Sequence, residues 1–118
     1  MTQMNLFLKL DKEVWTKGDF GTATGLGLTG TIYTTSTLAT AQNLTDYTLK
    51  IRLYDQIGDE VFNDDCNILI AASGTWEYLP ADGDLNFDFI GEVKIELLKA
   101  TQQITAIGVN GSAVLRIR

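Results

Sequence analysis

The chain has 118 residues, with nine Lys or Arg against fifteen Asp or Glu, no His, one Cys and a net charge of −6. These numbers exclude an internal disulfide, remove the commonest general base and metal ligand, and argue against nucleic acid, whose phosphates need clustered cations. The length suits one domain, residues 1–118, that buries a core without staples, and 45% hydrophobic with 20% charged residues is ordinary for a folded domain.

No apolar run approaches the ~20 residues of a membrane span. Met1–Leu10 lacks the basic start and long apolar centre of a signal peptide, so it reads as a start that enters a strand directly. Met4, Leu6, Leu8 and Leu10 alternate with Asn5, Phe7 and Lys9, which predicts a first strand. Residues 1–12 are therefore expected to form an N-terminal strand or an arm that contacts a neighbour. Leu6, Phe7 and Leu8 are too apolar for a free tail, so burial in this domain or in a neighbour is expected. Val14-Trp15 is an isolated apolar pair, with Trp15 expected to be partly exposed and to touch a partner. Thr16-Lys-Gly-Asp-Phe-Gly21 is turn chemistry.

Residues 21–40 hold eight threonines, with Leu26, Leu28, Ile32, Tyr33 and Leu38 spaced between them. Threonine favours strands, and strands are expected near 21–28 and 30–37, with a loop at 38–42. The strongest element is Tyr47–Tyr54. Tyr47, Leu49, Ile51 and Leu53 point one way and Thr48, Lys50, Arg52 and Tyr54 the other, as a central strand with one buried face requires. A short strand at Asp59–Phe62 is expected next, then a polar turn at Asn63–Asn67 and an apolar strand at Ile68–Ala72. Ser73-Gly74 breaks that strand, and Thr75–Leu79 returns as a hairpin that Pro80 ends. A loop at Ala81–Asn86 precedes Phe87–Ile90, which packs back. Glu92–Lys99, a stretch within Thr101–Val109, and Ala113–Arg118 read as strands, the last two joined by an Asn110-Gly111 turn. Seven to nine short strands without a convincing helix predict an all-β fold, a sandwich or barrel. The expected inner faces hold Leu49, Ile51, Leu53, Ile68, Ile70, Trp76, Val93, Ile95, Leu97, Leu115 and Ile117, while Arg116 and Arg118 point outward.

Charge is segregated. Ten of the fifteen acids and none of the nine basic residues lie between Leu53 and Val93. One reading is a solvated acidic surface. A sharper one is a polar molecule whose acidic middle meets the basic ends of a neighbour.

No catalytic constellation stands out. Asp59, Glu60, Asn63, Asp64, Asp65 and Asn67 are rich in oxygen, but their spacing does not fit an EF-hand, and a polar turn is the plainer reading. Asp82, Asp84 and Asp88 read the same way. Glu77 with Glu92 or Asp88 is a conceivable glycosidase pair of unfixed separation. Ser36, Ser73 and Ser112 have no histidine to activate them and lie in no Gly-x-Ser-x-Gly. Gly21–Gly27 lacks the Lys-Ser/Thr ending of a phosphate loop, and Cys66 has no partner base. No cofactor and no metal are expected. Trp15, Trp76 and Tyr54 would serve a carbohydrate-binding surface if they were exposed in a row, although Trp76 is read as core.

Several fragments, in order, carry a resemblance: Lys17-Gly-Asp-Phe-Gly-Thr22, Asn43-Leu-Thr-Asp-Tyr-Thr-Leu-Lys-Ile-Arg-Leu53, Ser73-Gly-Thr-Trp-Glu-Tyr78, Gly91-Glu-Val-Lys-Ile-Glu96 and Gly111-Ser-Ala-Val-Leu-Arg-Ile117. From Thr16 to Arg118 the chain resembles an immunoglobulin-like virion module of tailed bacteriophages, the N-terminal domain of the baseplate upper protein family. Val93 departs from that family's tyrosine, and no long distal extension follows Arg118. The resemblance implies an immunoglobulin-like antiparallel β-sandwich and a structural role in the virion, in baseplate, tail or capsid decoration. It implies no enzyme. The expected partners are other virion proteins or further copies of the chain, with a glycan as the alternative and neither nucleic acid nor membrane. The contact residues expected are Leu6, Phe7, Leu8, Trp15, Arg116 and Arg118.

Overall fold

Period-two alternation builds nearly the whole molecule. The computed structural model describes residues 6–21, 27–35, 37–108 and 113–118. Among them lie nine strands: β1 Leu6–Leu10, β2 Val14–Trp15, β3 Leu28–Tyr33, β4 Thr48–Tyr54, β5 Glu60–Ile70, β6 Thr75–Tyr78, β7 Phe89–Lys99, β8 Gln102–Gly108 and β9 Val114–Ile117. The single helical piece is a 3-10 turn at Ala71–Ser73. The all-β expectation stands. The strand expected near 21–28 and the Asn110-Gly111 turn fall largely outside the described residues.

The expected antiparallel sandwich of two sheets gives way to a closed sheet. The strand order is β2-β9-β7-β4-β5-β6-β3-β1-β8, and β8 returns to pair with β7. Seven strands, β7-β4-β5-β6-β3-β1-β8, thereby form a barrel. An odd number of strands cannot close with antiparallel pairs alone. The parallel pair is β1 with β8, where Leu6 to Leu8 lie beside Ala106 to Gly108. Closure removes the free edges of an open sheet. Among the described strands only β2 keeps a single neighbour, β9, so edge strands are not the ready contact elements that an open sandwich would offer.

Two long strands turn the corners. β5 pairs with β4 through Glu60–Cys66 and with β6 through Asn67–Ile70. β7 pairs with β4 on one edge, while its other edge takes β9 beside Phe89–Glu92 and β8 beside Ile95–Lys99. A strand that changes partner along its length carries the sheet round a bend. This corrects two expectations. Asn63–Asn67 is not a turn but the middle of β5, because the ladder to β4 through Asn63–Cys66 and the ladder to β6 that begins at Asn67 outweigh the low strand propensity of Asn and Asp. Gly91 does not separate two segments either; β7 runs through it. A Cβ there would lie 2.0 Å from the Tyr54 carbonyl oxygen, so glycine is what lets β7 close on β4.

The barrel interior is the core. Leu49, Ile51 and Leu53 of β4 face Val93, Ile95 and Leu97 of β7 in register, and all six are at most 2% exposed. Trp76, Leu115 and Ile117 are buried as expected, and Ile68 is half-buried. Ile70 is corrected to 60% exposed, because a register shift between Ile68 and Ile70 turns it out at the 3-10 corner. That corner closes on Gly74, whose φ of +67° and close approach to the Ile32 carbonyl oxygen exclude a side chain.

Candidate functional site

The residues expected to be partner contacts differ in burial. Leu6 and Leu8 are core residues of this chain's own barrel. Phe7 lies half-buried on the outer surface, paired with Tyr33 on β3 and Ile107 on β8. Trp15 is 6% exposed, not partly open, because alternation in β2 turns it inward and its Nε1 donates to the Asp19 carbonyl at 3.3 Å. Arg116 on β9 and Arg118 just past its end are exposed as expected. With Trp15 and Trp76 both buried, the aromatic row that a sugar platform needs is absent among the described residues.

A second set of side chains, which alternation in β7 and β9 places on the outside, gathers around Arg116. Ile90 and Glu92 project from β7, Val114 and Arg116 from β9, and Val14 from β2. Arg116 stands beside Val14 on one flank and Ile90 on the other, and Glu92 lies between Val114 and Tyr54. Val14, Ile90 and Val114 are 46%, 42% and 48% exposed. Arg116 makes no ion pair among the described residues, whereas Glu92 holds Lys94 loosely at 3.6 Å. Lys94 also sits 4.6 Å from the centre of the Tyr54 ring. Beside this face opens a cleft of about 430 Å³, lined by Tyr54, Gln56, Ile90, Glu92, Lys94 and Val114 among others. Aliphatic side chains left in water among charges mark a contact surface more readily than a catalytic one.

Two polar clusters elsewhere on the barrel do structural work. Arg52 of β4 donates through Nε to Glu96 at 3.0 Å and through Nη1 to Glu60 at 2.6 Å, and Gln103 donates to the same Glu96 oxygen at 3.0 Å. The hydrogen bonds to Glu60 and Glu96 push the guanidinium up from its ordinary value, and the network pins β5, β4, β7 and β8 from outside. In the second cluster, the buried Tyr78 lies with its hydroxyl 2.8 Å from Asp64 and 3.0 Å from Asp84. Burial, then these two partners, raise its phenol well above 10.0. Asp84 also accepts from the Ala81 amide at 2.9 Å, so Tyr78 ties the 81–84 turn to β5. Phe62 backs the ring at 5.9 Å between centroids. Burial likewise pushes the Cys66 thiol up, which keeps it protonated and a poor nucleophile.

The charge segregation seen in the sequence is partly cancelled within the fold. Arg52 reaches Glu60, and Lys17 reaches Asp88 at 3.3 Å. The signal that marks Ile90 and Val114 was present in the sequence as apolar residues on the polar phase of two strands, but it required the true start of β7 to be seen.

No known family model matches this chain, and neither the curated proteins nor the solved structures include a match.

Proposed function

We propose that the chain is a structural, protein-binding subunit of a tailed-phage particle, a component of baseplate, tail or capsid decoration that works by contact and not by catalysis. The observation that carries the contact part is the outer face of β7 and β9, where Ile90 and Val114 remain in water beside an Arg116 that makes no ion pair among the described residues. An exposed apolar patch rimmed by charge is the usual form of a protein-docking surface.

The virion assignment and the kinship with the immunoglobulin-like module are supported by the ordered fragments from Lys17 to Ile117. Three of them hold positions that the fold uses: Gly74 at the 3-10 corner, Gly91 against Tyr54, and the core strand Leu49–Leu53. The closed sheet is not part of that support, since an immunoglobulin-like sandwich has two layers.

The test is the protein inventory of purified particles from the phage that encodes the chain. A particle component is expected at a copy number set by particle symmetry. Absence from intact, DNA-filled particles would overturn the assignment.

A further inference from the structure

We propose that the outer face of β7 and β9 is self-complementary and takes a second copy of this chain across a two-fold axis. The inference rests on the docking-subunit reading above and names the partner of that face.

Four outward side chains make a block. Ile90 stands opposite Arg116 and Glu92 opposite Val114, on neighbouring antiparallel strands. One diagonal of the block is therefore apolar, Ile90 to Val114. The other carries opposite charges, Arg116 to Glu92. A two-fold interface requires that if one residue meets a second, the second meets the first. Laying a second block face down about an axis along the apolar diagonal meets that condition. Ile90 and Val114 then face their own copies, and each Arg116 faces the other chain's Glu92. An axis along the charged diagonal would put Arg116 on Arg116 and Glu92 on Glu92, so charge selects the first arrangement. With strands ~4.8 Å apart and a rise of ~3.4 Å per residue, the chosen diagonal lies about 35° from the strands. The two sheets then cross at about 70°, near the orthogonal class of sheet packing.

The groups are free to make the exchange. Arg116 makes no ion pair among the described residues. Among the described residues the ion pair of Glu92 is the 3.6 Å contact to Lys94, with side chains 28% and 32% exposed, and such surface pairs hold weakly. Val14 extends the apolar area beyond Arg116. A face built for an unrelated partner has no need of this internal symmetry of charge and apolarity.

The experiment is light scattering across protein concentration on the wild type, Arg116→Glu, Glu92→Arg and an equimolar mixture of the two variants, each shown by melting to be folded. The wild type is expected to be a dimer. Each single variant is expected to dissociate at least about tenfold more readily, because both cross-chain pairs become like-charged. The mixture is expected to recover the dimer, since every cross pair is again opposite in sign. The exposed-site variant Ile90→Asp, expected to be monomeric, replaces either charge variant that does not fold. A monomeric wild type, single variants that remain dimeric, or folded variants whose mixture stays monomeric would overturn the inference. Failure here is separable from failure of the virion reading. A monomer that is present in purified particles overturns only the second-copy inference, while a dimer that is absent from particles overturns only the virion role.

Discussion

β4 and β5 lie side by side in the barrel and are specified in different ways. Both alternate. Leu49, Ile51 and Leu53 of β4 are fully buried, while their inward partners on β5, Cys66, Asp64 and Phe62, are half-buried. β4 sits between β5 and the long β7, so its inner face is covered throughout. β5 turns a corner, and its inner face opens toward the end of the barrel where Tyr78, Asp64 and Asp84 meet. An unbroken aliphatic inner face fixes β4, with ladders to both neighbours and the Arg52 network holding it from outside. Pairing with two neighbours and one polar anchor fix β5.

The largest effect that separates them is a core truncation. Leu53→Ala is expected to lose about 2–5 kcal/mol, the range for removing a fully buried leucine. Cys66→Ala, inward on β5 but only half-buried, is expected to lose less than half as much. Urea unfolding of both variants with unchanged slope checks this; equal losses would mean that the β5 side is as tightly packed as the β4 side.

That contrast also decides what could be read from the sequence. Tyr47–Tyr54 was legible because its alternation is unbroken and every inward residue is aliphatic or aromatic. The sequence splits β5 into strand, turn and strand because Asp64 occupies an inward position where an apolar residue would have continued the pattern. Its partner Tyr78 is fourteen residues away, beyond the reach of any local signal. The barrel was hidden for a similar reason. Closure depends on β1 lying parallel to β8, a contact between the two ends of the chain that leaves no mark on local periodicity. Trp15 was misjudged because a two-residue strand is too short to show which face is inward. The outward direction of Arg116 and Arg118 is legible because burial alternates cleanly from Val114 to Arg118.

The polar anchor of β5 gives the next effect. Tyr78→Phe removes the hydroxyl that Asp64 and Asp84 share, and is expected to lose about 1–2 kcal/mol. It should also change the alkaline limb. The phenol is raised above 10.0 in the folded chain, so folding favours its protonated form. Its contribution is therefore complete below pH 10 and is lost as pH climbs through the unfolded value toward the folded one. Stability of the wild type should fall faster above pH 10 than that of Tyr78→Phe. Parallel curves would show that the anchor does not hold.

A smaller effect tests the outer pins. Arg52→Met keeps the aliphatic stem and removes the bonds to Glu60 and Glu96. With the guanidinium partly shielded, about 1 kcal/mol is expected, shrinking as salt is raised. A loss that does not change with salt would assign the role of Arg52 to packing. Lys17→Ala should be nearly silent, since both Lys17 and Asp88 are largely exposed.

The outer face of β7 and β9 is expected to be covered when the chain works. Carbene footprinting of the assembled particle against the isolated chain at high dilution measures that cover residue by residue. Strong protection of Ile90 and Val114 on assembly, with Ile57 at 83% exposure in the isolated chain serving as the labelling reference, is the expected result. Equal labelling of Ile90 and Val114 in both states would contradict it.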